Sequence, residues 1–146
     1  GLKTADDFRN ALKASGNQIS DWAKDILGQP AFTASAEEVE VNLVLVSVAE
    51  LGFKDGATRR DIYARAKEFG LELCPAEVGP QLRFQYKDQP KGEWLLIGME
   101  PITGSDGSLN VFSVERDGYG QWLYGSYGEP GHFWHGNYRL VFFHRK

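Results

Sequence analysis

All three histidines of the chain, His132, His135 and His144, fall in its closing stretch GHFWHGNYRLVFFHRK. Imidazole is a common zinc ligand, so the pair His132-x-x-His135 raises metal-assisted hydrolysis as a candidate chemistry. A zinc centre needs three or four converging ligands, and His144 and Glu129 are the further candidates. The spacing argues against convergence. Gly131 and Gly136 bracket the pair in a loop, and in an extended chain residues three apart point to opposite faces. The expectation is two loop histidines and one strand histidine, with no metal and no cofactor.

The second candidate chemistry is stacking. Aromatics make up 13% of the residues, and Tyr119, Trp122, Tyr124, Tyr127, Phe133, Trp134 and Tyr138 crowd one short stretch. On the run QWLYGSY, alternation puts Trp122 and Tyr124 on one face, Leu123 and Tyr127 on the other. A sheet covered on one side carries polar residues on its other side. Large rings on both sides therefore point to an exposed row that could stack on a sugar, a peptide or a partner protein. The candidate ligand-binding residues are Trp122, Tyr124, Tyr127, Phe133, Trp134 and His135.

Other chemistries find less support. The segment ATRRDIYARAKEFG carries Arg59, Arg60, Arg65 and Lys67 and has the cadence of a winged-helix element, but Asp61 and Glu68 lie close by. The chain as a whole carries a net charge of −4. Phosphate-binding proteins carry a positive surplus, so nucleic acid is not an expected partner. Phosphate-loop, dinucleotide and GxSxG signatures are absent. The single cysteine, Cys74, rules out an internal disulfide, and its apolar neighbours suggest a buried thiol rather than a nucleophile. Glu77, Glu93, Glu100 and Asp106 are plentiful carboxylates, but spacing alone pairs none of them across a cleft.

These groups need a frame. At 146 residues, with 42% hydrophobic and 25% charged content, one domain (1–146) with a sizeable core is expected. Sub-lobes 1–89, mostly helical, and 90–146 are conceivable. No apolar run reaches the roughly 18 residues of a membrane span. The chain opens on Gly1 and its only methionine is Met99, which reads as a processed N-terminus. A cytoplasmic location is expected.

Thr4 and Asp7 have capping-box spacing ahead of Phe8, Ala11 and Leu12, and Gly16 ends that helix. Ile19, Trp22, Ala23, Ile26 and Leu27 form the stripe of a second helix, capped by Asn17 and stopped at Gly28. Residues 39–48, VEVNLVLVSV, read as a strand partly buried on both faces. The capping spacing of Ser35 and Glu38 supports a helical alternative. Thr58 and Asp61 cap a helix with the buried stripe Ile62, Ala66 and Phe69, ended by Gly70. LELC follows as a short strand. Pro75 opens a helix that Gly79-Pro80 should kink or split. From Glu93 the period becomes two, in EWLLIGMEPI, NVFSVERD, QWLYGSY and YRLVFFHRK, with Asp-Gly turns between the first three. The expected core face holds Leu95, Ile97, Phe112, Val114, Leu123, Val141 and Phe143. The fold class is α+β, with N-terminal helical segments packed on a C-terminal four-stranded antiparallel meander.

Residues 71–102, LELCPAEVGPQLRFQYKDQPKGEWLLIGMEPI, resemble a segment of small uncharacterised bacterial proteins. The resemblance implies a bacterial origin and carries no activity or site residue. The resulting expectation is a non-enzymatic binding or interaction module of immunity or accessory type, working through the aromatic surface of the last strands. Its partner would be a protein or small ligand, with a carbohydrate as an intermediate case. The alternative is a metal-dependent hydrolase around His132 and His135.

Overall fold

A computed structural model of the chain describes residues 2–35 and 40–144. Its elements run α1 (Ala5–Ala14), β1 (Gln18–Ile19), α2 (Asp21–Leu27), β2 (Asn42–Ser47), a 3₁₀ turn (Ala49–Leu51), β3 (Ala57–Thr58), α3 (Arg59–Glu68), α4 (Val78–Gln85), β4 (Trp94–Ile97), β5 (Ile102–Thr103), β6 (Leu109–Asp117), β7 (Gly120–Tyr127), β8 (Phe133–Trp134) and β9 (Arg139–His144). The α+β class holds. The sheet, however, is a mixed one of seven strands in the order β1–β7–β6–β4–β9–β2, with β5 also paired to β6. β3 and β8 form a separate ribbon.

The four-stranded meander is therefore corrected. β4, β6 and β7 follow each other antiparallel, as the Asp-Gly turns require. β9 does not continue beside β7. It crosses to the far side of β4, pairs with it in parallel, and pairs antiparallel with β2. Two physical features move it there. The connection from Tyr127 is too long for a hairpin and contributes β8 to the ribbon with β3. Leu140, Val141 and Phe142 are all buried, so β9 needs cover on both faces, which an interior position supplies.

The helices follow their caps. Thr4 Oγ1 accepts from the Asp7 N–H at 3.0 Å and Asp7 Oδ2 accepts from the Thr4 N–H at 3.1 Å, completing the box that starts α1. The second helix starts later than its apolar stripe suggests. Ser20, not Asn17, caps α2, and Gln18–Ile19 instead pair with Trp122–Leu123 at the open edge of β7. That edge offers backbone hydrogen bonds that a first helical turn leaves unmade. In α3, Ile62, Tyr63 and Ala66 are buried, whereas Phe69 is 59% exposed, because the helix ends at Glu68 and Phe69 is its cap. α4 is continuous. Pro80 is its third residue, where a missing N–H costs no intrahelical bond. The LELC strand is reduced to isolated bridges at Glu72 and Cys74.

β2 is a strand, at the outer edge of the sheet. Val44 and Val46 are partly buried, while Leu43 and Leu45 on the other face are exposed. Val39 and Glu38, the second half of the alternative cap pair, lie outside the described residues. Ser35 instead donates its N–H and hydroxyl to Glu77 Oε1.

The two faces of the sheet are covered differently. Leu95, Ile97, Phe112, Val114, Leu123 and Val141 are buried on one face, and Phe143 only partly. α1, α2 and α4 lie on this face. Gly79 of α4 and Gly125 of β7 permit the close approach: a Cβ on Gly79 would sit 2.6 Å from Phe112 Cβ, and one on Gly125 would sit 3.0 Å from Trp22 Cβ. On the opposite face α3 packs Tyr63 against Phe142 and Trp134. The Tyr63 hydroxyl donates to the Met99 carbonyl at 2.7 Å. No described helix is long and apolar enough to cross a membrane.

Candidate functional site: an aromatic arc around Glu115

The tight β6–β7 turn sets the site. Asp117 pairs with Gly120, which puts Glu115 opposite Trp122 and Ser113 opposite Tyr124. On the other side of β6, Trp94 of β4 stands opposite Glu115. One cross-strand row thus reads Trp94–Glu115–Trp122, on the face that α1, α2 and α4 leave free. Cross-strand neighbours on one face lie within about 5 Å at Cβ, so the carboxylate is flanked by two indoles.

The rings extend from this row. Trp122 and Tyr124 stack at 5.2 Å between centroids and 29° between planes. Trp94 meets Tyr138 edge-to-face at 4.6 Å. Tyr138 meets His135 at 5.2 Å, and His135 meets Phe133 at 5.3 Å. The arc spans from Tyr124 across Glu115 to Phe133, with Trp94, Trp122, Tyr124 and Tyr138 partly buried and Phe133 and His135 exposed.

Its orientation is fixed by polar contacts. Asp117 Oδ1 accepts from the Tyr119 and Gly120 N–H groups at 2.8 and 3.1 Å and from Trp122 Nε1 at 3.1 Å, tying the indole to the turn. The Ser113 hydroxyl donates to Glu115 Oε2 at 3.0 Å and lies 3.3 Å from the Ser126 hydroxyl. From behind, the fully buried Arg83 of α4 donates to the Glu115 and Trp122 carbonyls at 3.2 and 3.5 Å, and to Gln89 Oε1 and the Tyr86 carbonyl. Burial lowers Arg83 to about 10, so it remains a cation at neutral pH.

Glu115 and Asp117 are the carboxyl groups beside the stacked Trp122 and Tyr124. Burial raises the Glu115 carboxyl above its usual range; the Ser113 bond opposes that and Asp117 adds to it. Burial also raises the Tyr124 phenol, with Glu115 and Asp117 contributing. A half-buried carboxylate with a tryptophan at each cross-strand position suits a cationic donor: the oxygens accept its hydrogen bonds and exposed ring faces stack on its body.

The six expected binding residues are divided among three settings. Trp122 and Tyr124 form one end of the arc and Phe133 with His135 the other. Tyr127 lies on the opposite face, 5.0 Å from Trp22 in an edge-to-face pair. Trp134 is 2% exposed and belongs to the core beneath α3, where it packs on Tyr63. Trp94, Glu115 and Ser113 are additions. Strand alternation points to all three, since Leu95 and Val114 on the core face imply Trp94, Glu115 and Ser113 on the other.

The remaining candidates sit elsewhere. His132 stacks loosely on Tyr127 at 5.8 Å, away from His135, and His144 pairs in register with Asn42. Glu129 Oε1 accepts from the Leu109 N–H. Among the described residues no group of three or more His, Cys, Asp or Glu could hold a metal ion. Arg65 is occupied by Glu68 at 3.0 Å, the Leu51 carbonyl and the Phe53 ring. Arg59 lies over Tyr63. Cys74 is buried, donates to the Val141 carbonyl, and is pushed up by that burial to about 12. Glu100 is exposed.

Comparison with known proteins gives no match to a family model, a curated protein or a solved structure.

Proposed function

We propose that the chain is a non-catalytic binding module that docks a basic segment of a partner protein on the aromatic arc. The observation that carries this reading is Glu115, set between Trp94 and Trp122 on a sheet face that the helices on the other side leave uncovered. Trp, Tyr and Arg dominate binding energy at protein interfaces, and an Arg or Lys over an indole contributes about 0.5–2 kcal/mol. The net charge of −4 favours encounter with a basic partner. An accessory or immunity role fits a small acidic chain without catalytic motifs, and the resemblance over residues 71–102 bears on bacterial origin alone.

The test is indole NMR on the labelled protein with an array of Lys- and Arg-containing peptides, and separately with neutral oligosaccharides. The Trp94 and Trp122 signals are expected to move with basic peptides while the buried Trp134 stays in place. Movement with oligosaccharides alone would replace the protein reading with carbohydrate binding. Silence toward both would contradict the proposed surface.

A further inference from the structure

The sheet ends at β2 in an edge without the usual guards. The strand NLVLVS carries no charged residue and no proline, and its register with β9 runs unbroken from Asn42 to Ser47. An edge of this kind templates a further strand, and proteins ordinarily shorten, charge or bulge it. The opposite edge is shortened: β1 has two residues. Among the described elements β2 packs mainly on β9 and the 3₁₀ turn, so its outer side stands open.

The hydrogen bonds show which residues face outward. In an antiparallel pair, alternate residues exchange both backbone bonds with their partner. One residue past β2, the Val48 N–H donates to the Tyr138 carbonyl at 2.9 Å. Phe143, opposite Leu43, uses its N–H and carbonyl on Glu72 instead. That phase turns Asn42, Val44 and Val46 toward β9, and the backbone groups of Leu43, Leu45 and Ser47 outward. The Ser47 N–H is closed off by Glu50 Oε1 at 2.8 Å. Leu43 and Leu45 remain. Their side chains are also the exposed ones, at 37% and 45%, beside Phe143 and Val141 of β9.

The occupant that fits both the backbone and the side chains is a second copy of the same strand. We infer that the chain self-associates through β2, two copies pairing antiparallel about a two-fold axis at Val44 into one continuous sheet. In that register Leu43 of each copy exchanges both backbone bonds with Leu45 of the other. The four leucines then close over one another on one face, as cross-strand neighbours. A centre at Leu45 would set Leu43 against Ser47, whose N–H is taken, and a centre at Leu43 would set Leu45 against Val41. No like charges meet, since Glu40 comes level with Val48. A foreign strand could make the same backbone bonds, but the chain's own copy returns a leucine to each exposed leucine, as a two-fold contact requires. One short strand per copy falls below the roughly 1,200 Å² of a standard interface, which calls for a weak dimer, half-associated on the order of 100 µM. The edge is separate from the aromatic arc and does not depend on it.

Sedimentation velocity of the intact chain, from about 10 µM to about 1 mM, is expected to pass from monomer to dimer. Leu43→Lys and Leu45→Glu, both at exposed positions, are each expected to stay monomeric over that range, because an edge charge blocks pairing. Their equimolar mixture is expected to dimerise, because the register centred on Val44 sets the introduced ammonium against the introduced carboxylate. Hydrogen exchange reads the unsubstituted chain: the Leu43 and Leu45 N–H groups are expected to gain protection with concentration, while Ser47, already held by Glu50, does not. A chain still monomeric at about 1 mM, a dimer indifferent to both substitutions, or a mixture that stays monomeric would overturn the inference.

Discussion

Glu115 is where the local physics of the arc is most exposed to test. Its carboxyl holds a proton more tightly in the folded chain than in the unfolded one, because burial disfavours the ion. The wild type therefore loses stability as pH rises through the ordinary carboxylate range and up to the raised folded value. Glu115→Gln cannot ionise and escapes that loss. Its melting temperature relative to the wild type is expected to be higher at about pH 7 than at about pH 4, a difference that calorimetry at the two values checks. Arg83 makes the opposite case, a buried cation whose partners are all neutral oxygens. Arg83→Met strands Gln89 Oε1 and the Glu115 and Tyr86 carbonyls, and urea unfolding is expected to show a loss of about 3 kcal/mol. Trp122 and Tyr124 were legible as a pair because alternation alone places them on one face. Trp134 was not, because its burial depends on α3 and on the β3–β8 ribbon, which no local pattern announces.

At the scale of elements, the capped helices were the most legible. The Thr4 and Thr58 caps sit where their spacing places them, because a cap is a contact between residues three apart. The place of β9 is less legible for the converse reason. Its neighbours β4 and β2 are distant in sequence, and the continuous apolar run Leu140–Phe143 with the long connection from Tyr127 points away from a hairpin with β7 without naming the strand it joins. The pair Gly79-Pro80 has the composition of a helix break, yet it is the means by which α4 sits down on β6. Gly79→Ala is a gain of about 1 kcal/mol in an open helix. Here the new methyl meets Phe112, and a net loss of about 1–3 kcal/mol is expected in denaturant titration. In the β6–β7 turn, Asp117→Ala removes the acceptor for the Trp122 indole and two backbone N–H groups. An upfield move of the Trp122 indole N–H signal and a loss of about 1–2 kcal/mol are expected.

Across the whole molecule, the sheet is sided. Three helices close the Phe112 face, and α3 closes only the β9 end of the other. The strands β4 and β7 keep large rings on the open side, where a solvent-facing sheet ordinarily carries polar groups. That asymmetry was half legible: the excess of aromatics was visible in the sequence, but the carboxylate among them became visible only once the β4–β6–β7 register brought Trp94 across from Glu115. The most direct test of this arrangement is a carbon-detected NMR titration of the Glu115 carboxyl with the indole signals followed alongside. The Glu115 midpoint is predicted to lie above the ordinary glutamate range, and the Trp94 and Trp122 indoles to shift with that same midpoint while Trp134 does not. An ordinary midpoint, with the Trp94 and Trp122 indoles indifferent to it, would contradict the placement of Glu115 between them.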